Sequence, residues 1–259
     1  MPKAPTTRGE RTLLLTALAI FYFLLGMILV QDDEVGGTTP PELRGWGDIS
    51  GKSGTLTPAM PTGVVSGDLL VAVIETANET DTTIAGYTAL TCGPSENGTS
   101  CPASCTAAAA LWRIADGTGD DIVVTNDSGN HQIGMVLAVK TGTFDTVTPI
   151  GKCINNKHLG TAISITGVTT TIDNSMLFAI SAGSLPDKNG SNLFSGEANA
   201  NWDATPAETD DESSNVANGG ALVVYVGTMA TAGASGTTTS TATSNATRAN
   251  ITFSINPVP

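Results

Sequence analysis

Histidine is almost missing from this chain, with two residues in 259, and aromatics make up only 5%. Basic residues are scarce as well: 11 Lys+Arg stand against 24 Asp+Glu, a net charge of −13. An acidic surface repels phosphate backbones, so nucleic acid is excluded as a partner of the part that carries this charge. The helix-forming residues Lys, Glu, Leu and Arg are thin beyond Val30, and no window there repeats apolar residues at the helical period. Catalytic motifs are missing too. The chain has no nucleophile elbow, phosphate loop, HExxH or Rossmann glycine pattern. His131, at a predicted strand start, and His158, in a polar loop, have no evident Ser or Cys partner and read as solvated. The adjacent acids Asp120-Asp121 and Asp210-Asp211 point to opposite faces on a strand, so adjacency alone makes no acid/base pair. The expectation is a protein without catalysis and without a cofactor.

Long apolar runs are few, and one dominates. Residues 12–30, TLLLTALAIFYFLLGMILV, hold no charge and no proline. At 1.5 Å per residue, such a helix spans about the 30 Å of a hydrocarbon core. Lys3, Arg8 and Arg11 precede it, and Asp32, Asp33 and Glu34 follow. The positive-inside rule places residues 1–11 in the cytoplasm or virion interior and the rest outside. Two alternatives compete. A cleaved secretory signal has an apolar core of about 7–15 residues and a small-x-small site, and Leu29-Val30-Gln31-Asp32-Asp33 is a poor one. A pilin-type leader is suggested by Arg8-Gly9, but Leu14 stands where a bacterial type IV pilin places glutamate.

Three of the 11 Lys+Arg and one of the 24 Asp+Glu precede Val30, which leaves eight against 23 in the outer part. Residues 31–50, with Gly36-Gly37-Thr38-Thr39-Pro40-Pro41, read as an extended linker. Trp46, between Gly45 and Gly47, reads as a core contact or an interfacial anchor. From residue 51 onward strand signals recur: 69–74, 84–90, 107–115, 121–125 and 133–139, then 162–168, 176–180, 221–226 and 250–255. The runs Leu69-Leu70-Val71-Ala72-Val73-Ile74 and Met176-Leu177-Phe178-Ala179-Ile180 are apolar throughout, as strands buried on both faces are. Residues 193–220 and 228–247 read as long loops, the second as a mucin-like tract or a Thr-rich edge strand with a loop. The predicted fold is an all-β sandwich with Greek-key or jelly-roll connections over 51–259, preceded by the 12–30 helix.

The candidate site residues are few. Cys92, Cys101, Cys105 and Cys153 all follow the apolar segment, and an even count in an exported domain predicts two disulfides. Cys92–Cys101 with Cys105–Cys153 is the favoured pairing of three. A zinc site at Cys101 and Cys105 lacks a second close pair of ligands. Asp116, Asp120, Asp121 and Asp127 lie on Gly- and Asn-rich turns and are candidate calcium donors, or simply turn residues. N-x-Ser/Thr sequons place candidate glycosylation at Asn78, Asn97, Asn126, Asn189, Asn245 and Asn250. Trp202, in the 193–220 stretch, is a candidate ligand contact.

The stretch Val64-Val65-Ser66-Gly67-Asp68-Leu69-Leu70-Val71-Ala72-Val73 resembles the "GDLL" strand of β-sandwich modules in phage virion and tail-associated proteins and in microbial surface proteins. Ile84-Ala85-Gly86-Tyr87-Thr88, Ala110-Leu111-Trp112-Arg113-Ile114-Ala115, a strand ending near Thr148-Pro149-Ile150, Ala221-Leu222-Val223-Val224-Tyr225 and Ile251-Thr252-Phe253-Ser254-Ile255 extend the likeness over most of 51–259. The resemblance implies a structural or host-contacting module rather than an enzyme. The apolar segment departs from a tailed-phage fibre and favours a membrane-containing virion or a cell surface. The expected function is thus a membrane-anchored structural component whose partners are lipid, copies of itself or neighbouring shell or surface proteins. The alternatives are an adhesin or carbohydrate-binding module that contacts glycans, and a pilin-like filament subunit.

Overall fold

The computed structural model describes residues 39–77, 82–93, 95–97, 106–117, 131–184, 193–214 and 220–259. These belong to one compact unit, Thr38–Pro259. They form strands and no helix. The expected 12–30 helix lies outside the described residues, and within them no helix is long and apolar enough to cross a membrane.

The first sheet uses the first half of the unit. Its strands are β1 (Leu43–Trp46), β2 (Ser50–Ser53), β3 (Leu69–Thr76), β4 (Thr88–Ala89), β5 (Ser95–Asn97), β6 (Thr106–Ile114) and β7 (His131–Val139). Its centre is β7-β3-β6, fully antiparallel, with Leu69 opposite both Val139 and Ile114. Both edges are broken. β1 and β2 follow each other along the free side of β7, and β4 and β5 do the same along β6. At the β1/β2 break a Cβ on Gly47 would stand 1.9 Å from the Ala59 carbonyl oxygen, so only glycine lets the two segments pass. β1 falls inside the stretch read as linker: the fold starts before residue 51 because Leu43 packs on the core and Arg44 finds a buried partner. Trp46 is 42% exposed, not a core residue.

The second sheet uses the second half: β8 (Ile150–Ile165), β9 (Ser175–Gly183), β10 (Phe194–Ala198), β11 (Ala207–Ser214), β12 (Gly220–Met229) and β13 (Thr238–Ile255). Its order is β11-β12-β9-β13, with β8 and β10 also on β13, all antiparallel. All the first sheet's strands precede all the second's, so the described chain does not shuttle between sheets as a jelly roll's connections do. The stretches read as loops, 193–220 and 228–247, supply β10, β11 and the start of β13; the predicted strand 162–168 is the end of a much longer β8.

The apolar runs are explained by burial on two faces. One face of each sheet meets the other sheet. Leu69, Val71, Val73, Ile133, Met135 and Leu137 share a buried cluster with Phe178, Ile180, Leu222, Val224, Ile251 and Phe253. The Phe178 and Phe253 rings stack within it at 4.9 Å. The far face of the first sheet, with Leu70, Ala72, Ile74, Leu111 and Val136, is covered by Leu56, Ile84, Met60, Val64 and Tyr87 from the connections.

The far face of the second sheet is covered by its own strands. Asn156 Nδ2 donates to the Ser164 carbonyl at 2.9 Å, although both residues lie on β8 eight positions apart. A straight strand would separate them by about 26 Å. The β8–β13 ribbon therefore doubles back. The turn sits where Gly160 takes φ +139 and where β13 carries extra residues between Thr241 and Ala246. The returning half brings Ile163, Ile165 and Ala242 onto Leu177, Val223 and Tyr225, with Phe194 and Trp202 beside them.

Candidate functional site

Among the described residues buried charge is concentrated at a few points, each tying loops to strands. The Asp68 carboxylate accepts from Arg44 Nε at 2.5 Å and Nη2 at 2.9 Å, and from the Val65 and Thr141 amides at 3.0 and 2.9 Å. Burial pushes this carboxyl up, but the Arg44 hydrogen bonds, the two amides and the Arg44 charge outweigh it and hold it below the ordinary range. Gly67 precedes it at φ +91, a conformation that side chains resist. The Gly67-Asp68 pair that begins the resemblance is thus a structural clamp joining β1, β3 and the turn after β7.

A second point lies at the opposite end of β3. His131 Nε2 and Glu75 Oε2 are 2.7 Å apart, and Thr106 Oγ1 donates to Glu75 Oε1 at 2.9 Å. All three residues are buried, so His131 is not the solvated residue its sequence context suggested. A Cβ on Gly220 would lie 2.0 Å from His131 Nε2, which fits β12 against the pair only if 220 is glycine. The carboxylate stands between hydroxyl and imidazole. Activation of a nucleophile needs the imidazole in the middle, so this order makes an anchor rather than a proton relay to Thr106.

In the second sheet Asp211 accepts from the Leu193 and Phe194 amides, which pins β10 to β11. Arg248 is buried, donates to the Gly160 and Ser244 carbonyls at the ribbon's turn, and lies 5.3 Å over the Phe194 ring. Desolvation lowers its pKa to about 10. Glu208 on β11 is raised to about 7, first by burial and then by the charges of Asp211, Glu197 and Asp210.

The other candidates divide between described and undescribed residues. Cys92 is bonded to Cys153, with Cα atoms 5.7 Å apart. This corrects the favoured pairing: β8 brings Cys153 beside the turn after β4, where the Asn155 side chain also donates to the Cys92 carbonyl. Cys101 and Cys105 lie outside the described residues. Asp116 is exposed and pairs with Arg113 at 3.4 Å, while Asp120, Asp121 and Asp127 lie outside the described residues. Among the described residues no three His, Cys, Asp or Glu could hold a metal ion.

Trp202 is 6% exposed and packs so closely on Gly227 that a Cβ there would lie 2.2 Å from its ring. It is a core residue, not a ligand platform. Asn250 is fully buried between β8 and β9, with its amide turned to the Ser164 carbonyl, and so is no glycan acceptor in the folded chain. Asn245 is exposed at the ribbon's turn. Asn97 is in β5, and Asn78, Asn126 and Asn189 lie outside the described residues. His158 is on β8, half-buried, rather than in a loop.

Asp68, Glu75, Asp211 and Arg248 were missed as a group. Glu75, ending an apolar run, and Arg248, alone in a stretch of Thr, Ala and Asn, carried the one available signal: a charge where the pattern demands burial. What remains regular is the pair of second-sheet edges, with exposed side chains on β8 and mostly half-buried or buried ones among those described on β11. Among the described residues the strand paired with β8 is β13, and its 16 residues include exposed Lys152, Lys157, Ile154 and Leu159. Among the described residues the strand paired with β11 is β12; β11 carries Glu208, Asp210, Asp211 and Glu212, of which Asp210 accepts from the Ile49 amide and Asp211 from the Leu193 and Phe194 amides. No protein-family model, no curated protein and no solved structure matches this chain.

Proposed function

We propose that this chain is a membrane-anchored structural component of a virion or cell surface, held by residues 12–30 and assembling through an exterior β-sandwich. The observation that carries the reading is a juxtaposition. An uncharged 19-residue stretch with basic residues before it and acidic residues after it leads into an all-β unit. The described buried charges of that unit are spent on internal clamps at Asp68, Glu75, Asp211 and Arg248. The likeness of the Gly67-Asp68-Leu69-Leu70 strand to virion and surface modules belongs with this reading, and the clamp at Asp68 gives it a physical role. The adhesin alternative drew on Trp202, and the burial of that side chain takes away its aromatic platform.

The test is topological. Protease added outside sealed membranes that hold the full chain removes the β unit and spares the N-terminus. Full protection of the β unit overturns the proposal, as does recovery of the chain in the soluble fraction without its first 30 residues.

A further inference from the structure

The two sheets treat their edges differently. Natural sheets blunt their edges with short strands, breaks and charges, because a free row of N–H and C=O groups invites another strand. The first sheet does so on both sides, where β1/β2 and β4/β5 are split pairs of two to four residues each. The second sheet does not. Among the described residues one edge is the first part of β8, residues 150–160 before the ribbon turns, and the other is β11, eight residues long.

Charge separates these two edges. Among the cations with described side chains, Arg44, Arg113 and Lys140 each pair with a carboxylate, and Arg248 is buried. Lys152 and Lys157 remain, both exposed and both on β8, which carries no acid. β11 carries four acids and no base. Like charges oppose pairing of β8 with β8 and of β11 with β11, and leave the mixed pair as the favoured one.

Strand direction agrees. From β11 through β12, β9 and β13 to β8 there are four antiparallel steps, so β8 and β11 run the same way. A second copy moved sideways by the width of the sheet, and turned by its twist, presents β11 in parallel to β8 of the first.

We infer that the second sheet continues from copy to copy, β8 of one chain pairing in parallel with β11 of the next. The partner is a second copy of this chain, and the contact is head-to-tail, so it propagates as a row rather than closing as a dimer. The inference rests on the reading that the exterior β unit is what assembles. Burial first, and then the charges of Asp211, Glu197 and Asp210, raise Glu208 toward neutrality, and incoming ammonium groups relieve the second of these causes. Parallel pairing is the weaker kind, so rows form when a surface concentrates the chains.

The experiment uses the full chain reconstituted in vesicles, as a mixture of ordinary and heavy-isotope copies treated with a zero-length carboxyl–amine cross-linker. Within one chain β8 and β11 are separated by three strands, about 19 Å at 4.8 Å per step, too far to be joined directly. Mixed-isotope peptides linking Lys152 or Lys157 to Glu208, Asp210 or Glu212 are expected. Charge reversal provides the second arm. K152E/K157E and E208K/E212K each reduce these oligomers about tenfold. The second variant spares Asp210 and Asp211, which accept backbone hydrogen bonds. Mixing the two variants restores assembly as alternating rows. Assembly that persists in K152E/K157E, or cross-links joining β8 to β8, overturns the edge pairing and leaves the structural reading standing. Chains that stay single on vesicles at all densities overturn both. If either variant misfolds, the isotope-mixed cross-links of the unaltered chain decide alone.

Discussion

The two sheets share one core but hold their shape by different means. The first is locked from its ends: Asp68 gathers β1, the 62–67 turn and the turn after β7 at one end, and Glu75 gathers β6 and β7 at the other. Its edges are broken and its outer face is covered by connections. The second sheet is locked from its middle. β13 bonds β8, β9 and β10, and its doubled-back half roofs the face that β9 and β12 expose. A sheet fixed by buried charge at its ends spends its edges on protection. One fixed by a long central strand keeps its edges whole.

The comparison can be broken most severely at Asp68. Asp68→Ala leaves Arg44 without its partner beside a buried gap and strands two amides, a loss of about 3–5 kcal/mol. Chemical denaturation measures it. Hydrogen exchange should show β1 and the 62–67 turn released while β9 and β13 stay protected. Equal release of both sheets would mean that the clamp serves the whole core.

Next is the bond between sheets. Peptide mapping without reductant is expected to find Cys92 joined to Cys153. That bridge closes a separation of 61 residues, for which chain entropy gives about 4 kcal/mol, so its removal by Cys153→Ser costs about that much. A cost near zero would show that packing alone holds the β4 turn on β8.

pH sharpens the contrast, because two carboxyls pull in opposite senses. Asp68 sits below the ordinary carboxylate range when folded, so its stabilisation is present above that range and is lost as pH falls through its folded pKa. Glu208 rises from 4.5 to about 7, so its contribution is complete below 4.5 and is lost as pH climbs through 7. Stability measured against pH is expected to fall between about pH 4.5 and 7 through the second sheet, a slope that Glu208→Gln removes. Because the group is half-buried and screened, the gain at pH 8 is about 1 kcal/mol. An unchanged slope would place the loss elsewhere.

The smallest expected effect is at Lys157. Lys157→Gln leaves monomer stability within about 0.5 kcal/mol, since the side chain is exposed. A larger loss would show that β8 needs its charge for folding rather than for contact.

How much of this was legible in the sequence follows from the physics of each signal. Leu69-Leu70-Val71-Ala72-Val73-Ile74 announced a strand buried on two faces, and it is one, because a continuous apolar run has no other use at that length. β8 was half missed. Its Lys152, Asn155 and Lys157 are exposed along an edge, and an edge strand has no apolar rhythm to read. β11 hid for the same reason behind Glu208-Thr209-Asp210-Asp211-Glu212. That Cys92 and Cys153 are in a disulfide was legible from the even cysteine count, but that they pair with each other was not. The pairing depends on β8 lying next to β13 and under the β4 turn, a long-range fact that cysteine spacing does not carry. The Gly67-Asp68 pair was visible as a turn, but its worth as a clamp needed Arg44, 24 residues away, in a stretch whose prolines and glycines spoke for a linker.

The place of β13 in the order of synthesis has its own consequence. The first sheet is complete when Val139 has emerged, and a translating or exported chain can fold it at once. β8 and β9 then wait for β13, which begins 73 residues after β8 ends and follows every strand it joins. Until it arrives β8 lacks the strand it pairs with, and β9 has β12 on one side alone. This protein therefore passes through a stage in which its stickiest surface is open and its finished half is inert. Slower delivery of the final stretch lengthens that interval, whatever the stability of the finished fold.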